Sequence, residues 1–224
     1  MLGNAAQGRG FGAKWGGAQV AVLKPVHLVY PFTRDKIVSL RVGTPLLISG
    51  LIFTGRDRLH RYLAEGGECP VVLRDGAFYH CGPVMRRDGV RWVVVAAGPT
   101  TSIREEPYMA KIIASLGVRL IIGKGGMGPQ TLAACHQHGC IYAQAVGGAA
   151  QVLSSRVREV REGGFVKEFG IAEGLWELEV DAFPALVTMD ASGHSLYERV
   201  ARASRRAYRD LTAPAESAVA AGHG

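Results

Sequence analysis

Long apolar runs are missing from this 224-residue sequence. No stretch approaches the roughly 18–20 unbroken apolar residues that a membrane-spanning helix needs. The N-terminal segment MLGNAAQGRGFGAKWGG also lacks the apolar stretch of a signal peptide. We therefore expect a cytoplasmic protein without a membrane partner. Because 48% of the residues are hydrophobic, a buried core can form.

Cysteine is sparse, and the four cysteines are Cys69, Cys81, Cys135 and Cys140. In a reducing compartment, scattered thiols are expected to be free rather than bridged. The segment CHQHGC, residues 135–140, places two of them beside two histidines and suggests a metal. Its spacing matches no standard zinc pattern, so we predict buried thiols, surface histidines and no metal ligand in this chain.

Acidic residues are the minority among charged residues, and the formal net charge is +7. Much of the excess lies near the C-terminus, at Arg199, Arg202, Arg205, Arg206 and Arg209. A nucleic-acid-binding surface would focus basic residues on one face, with aromatic residues or a known module. Neither pattern is present, so the charge favours acidic partners, and no nucleic acid is predicted.

Internal repeats are also missing, so the chain reads as one folded region with two extensions. Residues 1–18 are rich in glycine, and residues 212–224, TAPAESAVAAGHG, are small and polar. We predict a flexible segment over residues 1–25 and a single domain over residues 26–200. A C-terminal tail, basic and then small in composition, is predicted over residues 201–224.

The first part of the folded region is rich in predicted strands. Residues 46–53 are mostly apolar and β-branched, which indicates a strand. Thr54 stands three residues before Asp57, a capping-box-like start for a helix that ends near Leu63. The segments VVL, AFYHCGPV and RWVVVAA are further predicted strands, with the turn RRDG between the last two.

Three strand–loop–helix units follow one another from residue 91 onward. Their predicted strands are WVVVAA, VRLII and CIYAQAV, and the helices after the second and third strands are QTLAACHQH and GGAAQVLSSRVREV. Ser102 and Glu105 have capping-box spacing at the first helix, Pro129 suits a first helical position, and Gly117 and Gly139 suit helix ends. LWELEVDAFPALVTMD is predicted as two more strands. Consecutive βα units imply parallel strands, so we predict an α/β fold with strands added before and after the βα core.

Loops that follow parallel strands meet at the carboxyl edge of the sheet, where backbone N–H groups and helix dipoles favour an anion. One such loop, IIGKGGMG, fits G-x-G-x-x-G through Gly123, Gly125 and Gly128. A dinucleotide site would also need an acidic residue ~20 residues on, and CIYAQAV and GGAAQ offer none. A phosphate loop would need Lys and then Ser or Thr after the last glycine, whereas Lys124 precedes Gly125.

Lys124 is then either a surface lysine in a turn or a ligand for another anion. Two other loops on the same predicted edge carry suitable residues: GPTTSIR has Thr100, Thr101 and Arg104, and TGRD has Arg56. Arginine holds a carboxylate with two parallel hydrogen bonds, and lysine adds a point charge. Two guanidiniums and one ammonium around hydroxyls therefore suit a small dicarboxylate.

Five motifs occur in a fixed order over residues 40–198: LRVG…SG…TGRDRLH, GPTTSIR, IIGKGG, AVGGAAQVL and LWELEVDAFPALVTMDASGHSLYE. In this combination the chain resembles the β subunit of iron–sulfur class I fumarate hydratases and L-tartrate dehydratases, which is also the C-terminal domain of one-chain members. The resemblance implies a swivelling β/β/α domain. It also implies a hydro-lyase that reversibly dehydrates a 2-hydroxy dicarboxylate, malate to fumarate or tartrate to oxaloacetate.

The resemblance implies a partner as well. An α subunit would hold a 4Fe–4S cluster with three of its own cysteines, so this chain would supply no cluster ligand, and the two would form a hetero-oligomer of α2β2 type. The β subunit would bind substrate across the interface, and the matching residues here are Arg56, Thr100, Thr101, Arg104 and Lys124.

The same resemblance makes Thr100 and Lys124 catalytic, with Thr100 as the base. A threonine hydroxyl is a weak base unless Lys124 or Arg104 activates it. The alternative is that Thr100 only positions substrate and that the base belongs to the α subunit. The family pattern also changes at two places: Ile103, Arg104 and Glu105 stand where Gly-Arg-Met is usual, and Gly126 stands where asparagine is usual. A binding module for a small anion or dicarboxylate, without catalysis, is the alternative function.

Overall fold

Residues 23–212 are described by the computed structural model and form a mixed α/β fold. The strands of this range are β1 (Val26–Val29), β2 (Pro45–Gly55), β3 (Ala77–His80), β4 (Val84–Asp88), β5 (Arg91–Ala96), β6 (Leu120–Gly123), β7 (Ile141–Gln144), β8 (Val157–Gly164) and β9 (Leu175–Met189). The helices are α1 (Arg34–Val38), α2 (Asp57–Ala64), α3 (Glu106–Leu116), α4 (Pro129–His138), α5 (Ala150–Ser154), α6 (Val166–Phe169) and α7 (Leu196–Thr212). A 3-10 turn, Ser102–Glu105, precedes α3.

The main sheet has the strand order β1-β2-β3-β6-β7-β9-β8. Strands β1, β2, β3, β6 and β7 are parallel, whereas β9 is antiparallel to its neighbours. Strand β9 also pairs with β2, so the hydrogen-bonded strands β2, β3, β6, β7 and β9 form a closed ring. The parallel strands place their carboxyl ends, and the loops that follow, at one end of this ring.

Two hydrophobic cores lie on opposite faces of the sheet because successive strand residues point to opposite sides. On β2, Ile52 packs in one core and the adjacent Phe53 in the other. On β6, Ile122 and Ile121 divide in the same way. Strands β3 and β6 are buried along their whole length, as expected for parallel strands covered on both sides.

Several predicted elements are confirmed. Residues 46–53 lie within β2, and the turn RRDG joins β4 to β5 with Gly89 at a φ of +59°. Pro129 opens α4, and Gly117 and Gly139 end α3 and α4 with positive φ angles. The α/β class with parallel strands is therefore confirmed, and the swivelling β/β/α arrangement stays a prediction.

The placement of WVVVAA as a parallel strand is wrong. AFYHCGPV breaks after His80, so that β3 stays in the main sheet and β4 leaves it. WVVVAA, as β5, pairs antiparallel with β4 in a separate two-stranded sheet, and β3 takes the place beside β6. The segment VVL, residues 71–73, forms no strand.

Two predictions in the last third of the domain are corrected. In GGAAQVLSSRVREV, only Ala150–Ser154 is helical, and VREV begins β8, where it pairs with β9. LWELEVDAFPALVTMD is one long strand rather than two. Its pairing with β2 shifts register near Ala182, which has a φ of +51°, so a bend rather than a turn separates its halves.

Both predicted capping boxes are wrong, because each serine or threonine points at another part of the fold. Thr54 lies inside β2, and its hydroxyl accepts the backbone N–H of Trp176 at 3.2 Å. Ser102 opens the 3-10 turn and bonds instead to His80 on β3, Tyr142 on β7 and the backbone of Lys124.

Helix α7 runs to Thr212, so the predicted domain boundary at residue 200 falls inside it. The predicted N-terminal segment lies almost entirely outside the described residues, and the domain division stays a prediction. None of the helices between residues 23 and 212 has the length and apolar character to cross a membrane.

Candidate anion-binding site

The predicted site residues gather at the carboxyl end of the parallel strands. Arg56 directly follows β2, and Lys124 directly follows β6. The paired threonines reach the same place through the loop after β5. The structure therefore brings together residues that lie up to 68 positions apart in the sequence.

The segment that carries the threonines lies between the ends of β3 and β6. Pro99 forms an isolated bridge with Cys81, and the Thr100 N–H donates to the His80 carbonyl at 2.8 Å. On the other side, Thr101 forms a bridge with Lys124. This short segment extends the sheet and sets the threonines directly beside the lysine.

Ser102 is the centre of a buried hydrogen-bond network that holds the Lys124 loop. Its hydroxyl oxygen accepts the Lys124 N–H and the Tyr142 hydroxyl, each at 3.0 Å. With both acceptor positions used, it donates to Nδ1 of His80 at 2.9 Å. The Tyr142 oxygen in turn accepts the Gly126 N–H at 3.3 Å. Two backbone positions of the loop are thus tied to buried side chains.

The network requires a neutral His80, since Nδ1 must accept the hydrogen bond from the Ser102 hydroxyl. Burial and the neighbouring His60 ring lower the pKa of His80 well below its usual 6.5, which agrees with this requirement. Nε2 then carries the hydrogen and faces the sulfur of Met109 at 3.3 Å. Sequence analysis missed this role of His80 and Tyr142, because both occur inside segments that read only as apolar strands.

The glycines around Lys124 make room for this chain's own side chains. Gly126 has a φ of +89°, and a Cβ there would lie 2.5 Å from the ring of Tyr197. A Cβ at Gly147 would lie 2.7 Å from Cδ of Lys124, so the lysine stem passes directly against that backbone.

In the G-x-G-x-x-G pattern itself, a Cβ at Gly123 would clash with Oγ of Ser102. A Cβ at Gly128 would lie 2.6 Å from Oε1 of Glu106, and Gly125 has a φ of +81°. Packing and backbone conformation therefore account for the pattern without a dinucleotide.

Each of the two arginines faces an acidic residue. Arg56 Nε lies 3.5 Å from Glu173 Oε1, and Arg104 Nη2 lies 3.0 Å from Asp57 Oδ2. The side chains of Arg56 and Arg104 are 27% and 49% exposed, so both guanidiniums are reachable from solvent. Partly exposed ion pairs are weak, on the order of 1 kcal/mol or less, and an incoming carboxylate can replace the acidic partner.

His60 is hydrogen-bonded to the backbone of Arg56. It is fully buried, and its Nδ1 donates to the Arg56 carbonyl at 2.8 Å. Burial lowers the pKa of His60 from 6.5 to about 4, so the ring is neutral at neutral pH. His60 thus orients a neighbour and has no direct access to the surface.

Thr100 is half-buried and Thr101 is exposed. Within residues 23–212, no side-chain hydrogen bond activates the Thr100 hydroxyl. The roles assigned to Arg56, Thr100, Thr101, Arg104 and Lys124 stay predictions, although the structure places all five at one edge.

The cysteines do not fit an iron–sulfur cluster or another metal. Cys135 and Cys140 are fully buried in the core, and Cys81 follows the carboxyl end of β3, beside Pro99. His136 contacts the Ala191 carbonyl through Nδ1 at 3.0 Å. In the part of the chain that the structure describes, no three side chains of His, Cys, Asp or Glu converge on a common point. No step of a reaction is therefore assigned to a metal held by this chain.

A family model and several known proteins match most of this chain. The family model of the fumarase C-terminus matches residues 12–200. A putative class I fumarate hydratase of Geobacillus stearothermophilus is 48% identical over 180 residues, which cover 80% of this chain and 35% of that protein. A putative L(+)-tartrate dehydratase subunit beta of Methanocaldococcus jannaschii is 35% identical over 184 residues, 80% of this chain and 93% of that protein.

A third relative, the L(+)-tartrate dehydratase subunit beta of Escherichia coli, is 35% identical over 171 residues, which cover 75% of this chain and 85% of that protein. The chain thus spans about a third of the Geobacillus protein and most of the two beta subunits. The resemblance found in the sequence motifs is confirmed.

Proposed function

Because the chain belongs to the fumarase C-terminus family, we propose that it is the β subunit of a hydro-lyase that acts on a 2-hydroxy dicarboxylate. The reaction is the reversible removal of water, malate to fumarate or tartrate to oxaloacetate. The protein works in the cytoplasm, together with an α subunit, as an α2β2 hetero-oligomer. The α subunit would hold a 4Fe–4S cluster, which would supply a Lewis acid for the substrate hydroxyl.

The observation that carries this proposal is the meeting of two guanidiniums, each at least partly exposed, and one lysine at a single strand edge. Arg56 and Arg104 have only weak acidic partners, and Lys124 sits on a backbone that the Ser102 network holds in place. A dicarboxylate presents two carboxylates a few ångströms apart, which suits two arginines on adjacent loops. A monocarboxylate would leave one of the guanidiniums without a bidentate partner.

Four of the predicted site residues then have a task in the reaction. Arg56 and Arg104 bind the carboxylates and orient the substrate, and Lys124 offsets the negative charge that develops on the carboxylate when the adjacent carbon loses its proton. Thr100, beside Lys124, takes that proton or positions the carbon that loses it.

The need for a partner is supported by how the relatives are built. This chain covers most of two proteins named as beta subunits, but only 35% of the class I fumarate hydratase chain. The protein named as a hydratase thus contains this domain together with further residues, whereas the two proteins named as beta subunits consist mostly of it. This supports our assignment of the remaining part of the site to an α subunit.

Reconstitution tests the proposal. The full chain is mixed anaerobically with a candidate iron–sulfur α subunit, and the dehydration of malate and of tartrate is followed. Activity that requires both chains is expected. Tight dicarboxylate binding by this chain alone, with no activity in any pairing, would favour a binding module without catalysis.

A Thr100→Val variant separates the two roles of Thr100. If Thr100 is the base, proton exchange at the substrate carbon in the reconstituted pair should fall by about a hundredfold or more, because the side chain of valine cannot accept a proton. Exchange near the normal rate would remove Thr100 from the base role and assign the base to the α subunit. Thr212→Val, at the far end of α7, is the control and should leave exchange unchanged.

A further inference from the structure

Glu105 is a buried acid that the proposed reaction does not use. It lies in the 3-10 turn directly after Arg104, and its side chain is 0% exposed. As a carboxylate, neither of its oxygens has a hydrogen-bond partner. An ionised carboxylate without a partner is among the costliest groups to bury, so its protonation state needs an explanation.

The groups that surround Glu105 give a negative charge little support. Its Oε2 lies 3.6 Å from Nδ1 of His60, but that histidine is neutral and gives its hydrogen to the Arg56 carbonyl. Two further acids, Asp57 and Glu173, face it, and Arg104 is the cation whose charge acts on it. Burial first, and then the hydrogen bond and charge of Asp57, raise the pKa of Glu105 from 4.5 to about 9.

We propose that Glu105 is a positioning residue for Arg104: it is held as a neutral carboxylic acid that donates its proton to the Asp57 carboxylate, which in turn binds the Arg104 guanidinium. The proton gives Glu105 the hydrogen-bond partner that its carboxylate form lacks. Two carboxyl groups can form a hydrogen bond only when one of them carries a hydrogen. It also leaves one negative charge, on Asp57, opposite one positive charge on Arg104. Asp57 thereby holds the guanidinium by an ion pair of 3.0 Å.

The arrangement makes anion binding depend on the proton, and this part of the inference rests on the proposed function. If Glu105 ionises, two carboxylates face the Arg104 guanidinium and repel an incoming dicarboxylate. By linkage, substrate that binds better to the protonated form is bound less tightly as the pH rises through the pKa of Glu105. The KM for the dicarboxylate should therefore rise above neutral pH, with a midpoint at about 9.

The proton itself is tested on this chain alone. With 13C in the side-chain carboxyl groups of glutamate, the carbon resonances are followed through a pH titration. One resonance should titrate in the alkaline range, and it should be missing in Glu105→Gln and present in Glu65→Gln, an exposed acid paired with Arg61. Should Glu105→Gln fail to fold, Asp57→Asn is used instead and should lower the alkaline midpoint. Titration of every glutamate in the ordinary acidic range would overturn the inference, whatever the chain catalyses.

The positioning role is tested in the reconstituted pair, with malate or tartrate, whichever it dehydrates. Glu105→Gln stays neutral at every pH and still offers an N–H donor to Asp57. It should keep the wild-type KM at neutral pH and lose the alkaline rise, while Glu65→Gln keeps that rise. If the KM of Glu105→Gln rises with pH as in the wild type, Glu105 does not position Arg104. An inactive pair would count against the proposed function, while the carbon titration still decides the state of Glu105.

Discussion

Two regions of this protein concentrate positive charge, and they differ in what lies beneath it. At the strand edge, Arg56 and Arg104 each face an acid, and Lys124 sits on a loop bonded to buried side chains. Helix α7 carries five arginines but has no buried residue along its length. They are Arg199, Arg202, Arg205, Arg206 and Arg209.

The difference shows why charge alone does not identify a site. An exposed arginine on a helix keeps its rotamer freedom and its water, so binding an anion there must order the side chain first. At the strand edge, the fold already holds the backbone of the Lys124 loop, through Ser102, Tyr142 and His80. Held groups favour a developing charge more strongly than mobile ones.

Removal of one cation from each region should give the largest contrast. Lys124→Met is expected to lower the turnover of the reconstituted pair by about a hundredfold or more and to leave the fold intact, because the ammonium that offsets the developing charge is gone. Arg206→Met, in α7, should change turnover less than twofold. Steady-state rates and circular dichroism of both variants check this, and normal turnover of Lys124→Met would contradict the site.

Acid should weaken the supported region through its buried histidines. Above pH 6.5, the imidazole of His60 is neutral in both the folded and the unfolded chain. As the pH falls from 6.5 to about 4, the unfolded chain binds a proton that folded His60 rejects, so the free energy of unfolding decreases. His80 acts in the same direction, since its pKa is also lowered.

Urea unfolding of the isolated chain across this pH range measures the effect. His60→Gln cannot be protonated and should show a smaller loss of stability in acid than the wild type. His27→Gln, on the exposed strand β1, should keep the wild-type pH dependence. Equal pH dependence in the His60 variant and the wild type would show that His60 is not the group that titrates.

The smallest expected effect compares two serines. Ser102→Ala leaves Nδ1 of His80 and the Lys124 N–H without partners, so it should reduce the free energy of unfolding by about 1–3 kcal/mol. Ser204→Ala, on the exposed face of α7, should leave stability unchanged or raise it by a few tenths of a kcal/mol, because alanine is the better helix former. Denaturant midpoints of the two variants measure the difference in stability. A Ser102→Ala variant as stable as Ser204→Ala would show that the Ser102 network does not stabilise the fold.

The sequence predicts which residues gather at the strand edge better than it predicts the elements that carry them. Arg56, Thr100, Arg104 and Lys124 each lie in a glycine-containing loop near a predicted strand end, and this pattern predicts that they meet. The strand before the threonines was assigned to the wrong sheet, because β5 has the same apolar composition as a parallel strand. Only the hydrogen bonds of the Pro99–Ser102 segment show how the threonines reach Lys124 without it.

Hydrogen-bonding roles were the least predictable part. Ser102 was assigned to a helix cap from its spacing to Glu105, a pattern that uses neighbours in the sequence only. Its actual partners, His80, Lys124 and Tyr142, lie between 22 and 40 positions away. A local rule cannot anticipate which of several distant polar groups a buried hydroxyl will meet.

By itself, the sequence determined the α/β class, the family, and which cations lie on strand-end loops, because periodicity and ordered motifs are properties of the chain alone. The tertiary structure alone decided that β3 rather than β5 lies beside β6, that Ser102 holds the Lys124 loop, and that Glu105 is buried against Asp57 without a cation of its own. Those outcomes depend on contacts between distant segments, and burial sets the charge of a carboxyl group only once such contacts have formed.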